Sequence, residues 1–162
     1  MAGELFQRKN NLMNRTNGNI NILETEYHHF NYVIDLLYEN ISKYKPHKNE
    51  YFEVWRQFKS QNNAYSVVAI INDKVIGYGS VLIEKKIRGG LVGHIEDIVT
   101  HSRYRRLGVA SRIMDNLHCH ATQLGCYKLT LACSELNEEF YIKNGYEREA
   151  LCMTKKIKRN LK

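Results

Sequence analysis

The chain has 162 residues, of which 43% are hydrophobic and 25% charged, so it can bury the core of one globular domain. Its net charge of +7 suits an anionic partner and leaves nucleic acid, a membrane surface and phosphorylated metabolites as alternatives. No apolar run approaches the roughly 18 residues that a membrane-spanning helix needs, so we expect no membrane span.

The first residues do not show the pattern of a folded element. Residues 1–19 are basic and rich in asparagine, and they lack the apolar stretch of a secretory leader. We therefore expect a disordered basic arm over residues 1–19 and a single domain over residues 20–162.

Two helices and then three strands are predicted up to residue 100. Apolar side chains recur at helical spacing in residues 27–44 and 50–59. The pattern then changes to β-branched and apolar runs at residues 64–71, 74–86 and 91–100, which are joined by turn sequences. Such a succession predicts an antiparallel meander.

The second half of the chain predicts helix, strand, short helix and strand. Residues 107–125 are amphipathic, with Gly125 as a helix C-cap. Residues 127–133 predict a strand, a short helix ends at Gly145, and residues 146–157 predict a final strand. This order indicates an α/β (α+β) fold, with a mixed, mostly antiparallel central sheet flanked by helices.

Cysteine and histidine usage indicates neither a disulfide framework nor a metal site. None of the four cysteines forms a C-x-x-C pair, so we expect reduced thiols that act as small hydrophobic side chains, with disulfides as the alternative. His118 and His120 point to different faces of a helix, and no second ligand pair has suitable spacing. We expect no metal.

The sequence RRLGVA at residues 105–110 lies where the third strand gives way to a helix. Amides in the first turn of a helix lack acceptors, and the helix dipole favours anions there. Gly108 and Ala110 leave the backbone open to a ligand, while Arg105 and Arg106 add positive charge. The pattern indicates a phosphate or pyrophosphate cradle, with an ordinary loop as the alternative; it matches neither the ATP nor the NAD motif.

This loop resembles the acetyl-coenzyme A loop, R/Q-x-x-G-x-G/A, of the GNAT family of N-acetyltransferases. The stretches IEKK (83–86), GHIEDIV (93–99), GCYKLTL (125–131) and NEEFYIKNGY (137–146) are similar to the glucosamine-6-phosphate N-acetyltransferases of that family. The resemblance covers roughly residues 20–157. It implies the GNAT fold, acetyl-coenzyme A as co-substrate, and acetyl transfer to the 2-amine of glucosamine 6-phosphate, a step towards UDP-N-acetylglucosamine.

The resemblance also implies the coenzyme contacts. Backbone groups of Ile98 and Val99 would pair with the pantetheine arm. Tyr141 would protonate the leaving thiolate, since its phenol has an ordinary pKa of ~10; a packing role is the alternative. Asn137, at the start of the short helix, fits an N-cap and a coenzyme contact equally. The pyrophosphate would be held by Arg105, Arg106, Leu107, Gly108, Val109 and Ala110.

The groups implied to meet the amino sugar are two carboxylates and two lysines. Glu96 would act on the amine as base or orienting group, and a strand-end salt bridge is the alternative for the pair Glu96 and Asp97. In a regular strand these neighbours point to opposite faces. Lys156, in the last strand, would bind the sugar phosphate, and Lys128 is a second candidate.

The chain departs from the family pattern at Ala132, where these enzymes usually carry an acidic residue that faces the amine. Ser134 would lie nearby on the same strand face. The family completes its sugar pocket with a second subunit, which implies a homodimer, and its use of coenzyme A, with no leader, implies a cytoplasmic location.

Two other functions remain open. One is an acetyltransferase of the same fold for another small amine, such as a polyamine, or for a protein lysine. The other is a non-catalytic module that binds coenzyme or nucleic acid. A basic chain favours the sugar phosphate over a cationic polyamine, and the dispersed basic residues lack a stacking aromatic motif, so we expect no nucleic-acid partner.

Overall fold

The computed structural model describes residues 19–157, which form two compact units that divide after Thr130. The expected arm lies almost wholly outside the described residues. The strands of the first unit are β1 (Asn21–Glu24), β2 (Ala64–Ile71), β3 (Lys74–Lys85), β4 (Leu91–Thr100) and β5 (Cys126–Thr130). Its helices are α1 (Tyr27–Asn40), α2 (Tyr51–Lys59) and α3 (Val109–Gln123), and the second unit contains α4 (Glu135–Lys143).

The sheet has the order β1-β2-β3-β4-β5. The first three pairings are antiparallel and β4 pairs with β5 in parallel, which confirms the mixed, mostly antiparallel sheet. β2 and β3 form a hairpin through Asn72 and Asp73, which both have positive φ, at 47° and 60°. Asparagine and aspartate tolerate this conformation, and it suits the twist of a two-residue hairpin.

Helices cover both faces of the sheet. On one face, Val33 and Leu36 of α1 are buried in a cluster with Tyr78 and Val99. On the other face, α3 packs so closely that a β-carbon at Gly77 would lie 2.9 Å from Val109 Cγ1. Burial of these two apolar helix faces supplies the main favourable term in folding the unit.

A second apolar cluster joins α1 to α2. Phe30 meets Tyr51 with ring centroids 5.4 Å apart and Trp55 with centroids 5.8 Å apart, both edge to face. All three side chains are buried. Aromatic pairs of this kind fix the orientation of the two helices in addition to burying area.

Several predicted boundaries are wrong. β1 was not predicted, the first helix ends at Asn40 rather than residue 44, and the strand predicted over residues 127–133 ends at Thr130. Residues 146–157 are described but form no strand, because no strand among residues 19–157 pairs with them. Strands need such a partner for their backbone hydrogen bonds.

Within residues 19–157, no helix is long and apolar enough to cross a membrane, and no group of three or more potential metal ligands is present. The four cysteines are free thiols. The prediction of reduced thiols is therefore confirmed, whereas Cys119, Cys133 and Cys152 are exposed and do not serve as packed hydrophobic side chains in the described chain. His118 is also exposed, whereas His120 stacks on Tyr65 with ring centroids 3.8 Å apart.

Candidate active site

A bulge interrupts β4 where the two predicted carboxylates lie. Tyr78 pairs with Val99 and Ser80 pairs with Glu96, so three steps along β4 oppose two along β3. The extra residue lies at the position of Asp97, which has a φ of 56°. Such an insertion bends a strand and re-aims its side chains, and bulges are frequent beside active sites.

A glycine on β3 makes room for this bulge. A β-carbon at Gly79 would lie 2.5 Å from Ile98 Cδ1 and 2.7 Å from Ile113 Cγ2. Ile98 therefore packs over Gly79 towards α3, and a larger residue at position 79 would displace it. The sequence signal for this arrangement was the presence of glycine inside a predicted strand, which often marks a close approach of neighbouring groups.

At the bulge, side chains of β4 no longer alternate regularly between the two faces of the sheet from Glu96 to Asp97. Glu96 pairs with Ser80, and cross-strand partners share a face of the sheet. Tyr78 lies on that same face, two residues from Ser80, and the Asp97 carboxylate contributes to raising the pKa of its phenol. The regular alternation on which the prediction of opposite faces depended is therefore interrupted by the inserted residue.

The two carboxylates differ in environment. Both residues are exposed, but desolvation of the Asp97 carboxyl raises its pKa above the ordinary value. Among the described residues, neither carboxylate makes an ion pair, so the salt-bridge interpretation has no support in this part of the chain.

The buried phenol of Tyr78 lies on β3, the strand that pairs with the bulged part of β4. Burial raises the pKa of Tyr78 to about 12, although hydrogen bonds with Ser80 and Ser66 act in the opposite direction. The Ser80 hydroxyl also donates to the backbone carbonyl of Glu96 at 3.4 Å. Sequence reasoning missed this polar group, because two isolated serines in apolar strands carry no motif.

Beyond His94, one edge of β4 is open. β5 pairs with β4 only from Leu91 to His94, and within the described residues no strand continues the pairing towards Thr100. The backbone groups of Ile98 and Val99, which were predicted to bind the pantetheine arm, lie in this stretch. An open strand edge is suited to an extended ligand that forms backbone hydrogen bonds.

The loop after β4 ends at a helix terminus whose free amides are suited to an anion. The first helical hydrogen bond of α3 runs from the Arg112 amide to the Gly108 carbonyl at 3.1 Å, so the amides of Val109, Ala110 and Ser111 have no acceptor within the helix. Gly108 itself is left-handed, with a φ of 77°, and a left-handed residue before right-handed ones makes successive amides converge.

Space beside this loop fits a phosphate group. A β-carbon at Gly108 would meet no atom within 4 Å, so the backbone is approachable from that side. Arg105 and Arg106 are both exposed, and Arg106 has a φ of 64°. The structure therefore brings together the six predicted loop residues, and α3 begins at Val109 rather than near Leu107.

The two loop arginines are engaged differently. The Arg105 guanidinium donates to Asn40 Oδ1 at 2.7 Å, at the C-terminal end of α1. For Arg106, residues 19–157 provide no hydrogen bond or ion pair to the side chain. Of these two arginines, only Arg106 therefore has a guanidinium that no hydrogen bond or ion pair engages within residues 19–157.

The second unit contains the predicted proton donor. Tyr141 lies on α4, and its ring meets Phe140 and Tyr146 edge to face, with centroids 5.0 and 5.9 Å apart. Burial, with a smaller effect of the Cys133 thiol, raises the pKa of Tyr141. The phenol therefore keeps its proton at neutral pH.

Other predictions for the second unit need correction. The N-cap of α4 is Ser134, while Asn137 is the third helical residue and donates its amide to the Ser134 carbonyl at 2.9 Å. The N-cap interpretation of Asn137 is therefore wrong. Ala132 and Ser134 share no strand face, because β5 ends at Thr130.

The predicted phosphate-binding lysines are both on the surface. Lys128 lies in β5, in the first unit, and its side chain is exposed. Lys156 lies in the irregular residues 146–157 of the second unit, and it is also exposed.

The bulged strand with an open edge and the helix terminus that follows it fit the acetyl-coenzyme A site that the resemblance to acetyltransferases implied. The model of the Acetyltransferase (GNAT) family matches residues 30–146, and the chain belongs to this family. Glucosamine 6-phosphate N-acetyltransferase 1 of Dictyostelium discoideum is 38% identical over 121 residues, which are 72% of this chain and 77% of that enzyme. The predicted family and acyltransferase class are confirmed.

Two further comparisons concern the same kind of enzyme from Arabidopsis thaliana. Its glucosamine 6-phosphate N-acetyltransferase is 38% identical over 95 residues, 55% of this chain and 64% of that sequence. The crystal structure of glucosamine-6-phosphate N-acetyltransferase from this plant has a TM-score of 0.79 and 28% identity, over 86% of this chain and 99% of that one. The predicted GNAT fold is confirmed.

Proposed function

We propose that this protein transfers the acetyl group of acetyl-coenzyme A to the 2-amine of glucosamine 6-phosphate, giving N-acetylglucosamine 6-phosphate. The observation that carries the proposal is the anion-binding terminus of α3 directly after a strand with two unpaired carboxylates, in a chain whose named relatives are enzymes of this activity. The net charge of +7 suits an anionic sugar phosphate.

The chain's part in binding the coenzyme is twofold. The amides of Val109, Ala110 and Ser111 and the Arg106 guanidinium hold the pyrophosphate, while the open edge of β4 at Ile98 and Val99 pairs with the pantetheine arm. Bound acetyl-coenzyme A supplies the reactive thioester. Backbone donors aimed at its carbonyl would stabilise developing charge by up to ~3 kcal/mol each.

Glu96 acts on the attacking amine. Its carboxylate is exposed and makes no ion pair within the described chain, so it can accept a proton from the ammonium directly or through one water. Help of this kind contributes ~10² to 10⁴ in rate. Asp97 orients the sugar beside it, and its position in the bulge fixes the direction of that contact.

Tyr141 delivers the proton that the coenzyme A thiolate needs as it leaves. The raised pKa of Tyr141 keeps the donor protonated throughout the neutral range. The edge-to-face contacts with Phe140 and Tyr146 favour the orientation that its ring has in this structure.

We further propose that the active form is a homodimer. Leu151, Met153 and Ile157 are 88%, 90% and 87% exposed. They recur at odd positions of a segment whose pattern is that of a strand. Pairing of this segment with a second copy would cover these apolar side chains, and we propose that Lys156 and Lys128 are candidates to bind the sugar phosphate.

Release of thiol from acetyl-coenzyme A tests the proposal. We expect fast release with glucosamine 6-phosphate, and at most slow release with spermidine or a lysine peptide. Thiol release with only one of the other amines would support acetyl transfer but overturn the proposal that glucosamine 6-phosphate is the substrate. Absence of release with every amine would overturn the proposed reaction.

A further inference from the structure

Arg105 and Asn40 form a bridge between α1 and the coenzyme loop that the catalytic proposal does not use. The guanidinium donates to Asn40 Oδ1 at 2.7 Å across 65 positions of sequence. Asn40 is the last residue of α1, and its Nδ2 donates to the Leu36 carbonyl at 2.8 Å. Both ends of this amide are therefore engaged, so its orientation is fixed.

The α1 end of the bridge is anchored in the core. Leu36 is buried with Val99, which is the penultimate residue of β4. The helix terminus that carries Asn40 is thus held against the strand from which the coenzyme loop departs. Arg105, five residues after the end of β4 at Thr100, hydrogen-bonds to this helix terminus and so connects the coenzyme loop to α1.

Electrostatic attraction favours the hydrogen bond of the Arg105 guanidinium to the C-terminal end of α1 over contact of Arg105 with a phosphate of the coenzyme. The C-terminus of a helix carries partial negative charge, which attracts a cation in the last turn. A charge-assisted hydrogen bond to the Asn40 amide adds to this attraction. Arg106, the next residue, has no such partner within the described chain and has a left-handed backbone that separates its direction from that of Arg105.

We propose that Asn40 is a positioning residue for coenzyme binding: it holds Arg105, and through Arg105 it sets the backbone of residues 105–108, so that the phosphates meet the loop amides and Arg106. This inference rests on the proposed function. It assigns Arg105 a structural part in the loop instead of direct contact with the pyrophosphate.

The test is the affinity for coenzyme A, measured by calorimetry on the wild type, Asn40→Ala, Arg105→Ala and the double variant. We expect each single variant to weaken binding about three- to tenfold, which is the range that the net contribution of one ordinary hydrogen bond gives. The double variant should bind no more weakly than either single one. The KM for acetyl-coenzyme A should rise while kcat at saturation stays unchanged.

Asn40→Asp is the matched control. It keeps the acceptor for Arg105 but loses the Nδ2 bond to the Leu36 carbonyl, so we expect wild-type affinity if the acceptor matters. Impaired binding in Asn40→Asp equal to that in Asn40→Ala would assign Asn40 a helix-capping role only and overturn the inference. Melting temperatures of all variants show whether each is folded at the temperature of the measurement.

Three further results would overturn the inference. Unchanged binding in Asn40→Ala would show that the bridge has no part in coenzyme binding, and tighter binding would show that Asn40 holds Arg105 away from a phosphate that Arg105 could itself bind. Multiplicative losses in the double variant would show that Arg105 contacts the coenzyme itself. If the wild type does not bind coenzyme A, the proposed function is overturned together with this inference. If the wild type binds coenzyme A and Asn40→Ala binds it with the same affinity, only this inference is overturned.

Discussion

At the scale of single residues, Tyr141 is the clearest target, since burial raises its pKa and keeps its proton available. We predict that Tyr141→Phe lowers kcat about 10²-fold, the lower end for a lost general acid, and leaves the Kd for coenzyme A within about twofold. Stopped-flow thiol release and calorimetry measure the two quantities. Unchanged turnover would mean that water or another group protonates the thiolate.

Tyr146→Phe is the control for this substitution, because it removes the same atom from the neighbouring ring. The Tyr146 hydroxyl is buried and has no hydrogen-bond partner within residues 19–157. Its removal should therefore be neutral or slightly stabilising. We expect wild-type kcat in Tyr146→Phe, so a loss there equal to that in Tyr141→Phe would indicate disturbed packing instead of lost proton transfer.

Gly108 and Gly125 form a second matched pair, because both are left-handed, with φ of 77° and 83°, and a β-carbon at either would meet no atom within 4 Å. We predict that Gly108→Val and Gly125→Val each cost at least about 1–2 kcal/mol of stability. Only Gly108→Val should also abolish tight coenzyme A binding, as measured by calorimetry. Equal affinities of the two variants would contradict the phosphate cradle.

The position of the loop at residues 105–110 was predictable from the sequence, whereas the geometry around the two carboxylates was not. The loop motif indicated Gly108 and its neighbours, since helix termini and glycines obey local rules. The direction of Asp97 and the N-cap role of Ser134 depend on a bulge and on the point where β5 ends, and both arise from pairing with distant strands.

At the scale of elements, the N-terminus of α1 depends on a neutral histidine. The Glu26 amide donates to His29 Nδ1 at 3.0 Å. Burial, and then the nearby His28, lowers the pKa of His29 below its ordinary 6.5. The unfolded chain therefore takes up this proton first as the pH falls. The stabilisation is complete above pH 6.5 and is lost as the pH falls through the folded pKa.

We predict that His29→Gln, which keeps an acceptor for the Glu26 amide, reduces the loss of melting temperature between pH 7.5 and pH 5.5. His118→Gln, at an exposed position of α3, is the control and should retain the wild-type loss. Identical pH profiles for the wild type and His29→Gln would contradict the assignment.

The long elements were predictable because their periodicity is strong, and β2 and β4 match the predicted ranges at both ends. β1 was missed because four residues with mostly exposed side chains carry little periodic signal. Residues 146–157 have the sequence pattern of a strand but form none, because no strand within residues 19–157 pairs with them.

At the scale of the whole molecule, the exposed apolar side chains of residues 146–157 predict self-association. We expect sedimentation to give twice the mass of the chain. The double substitution Leu151→Lys and Met153→Lys should produce monomers with reduced acetyl transfer, while Ile87→Lys, at another fully exposed site, should remain dimeric. A monomeric wild type with full activity would contradict the dimer proposal.

The central claim is that the protein acetylates a phosphorylated amino sugar, and the ratio of kcat/KM for glucosamine 6-phosphate to that for glucosamine tests it most directly. Charged hydrogen bonds to the phosphate predict a ratio of roughly 10² or more, with N-acetylglucosamine 6-phosphate as the product. A ratio near one, or a preference for unphosphorylated glucosamine, would contradict the claim.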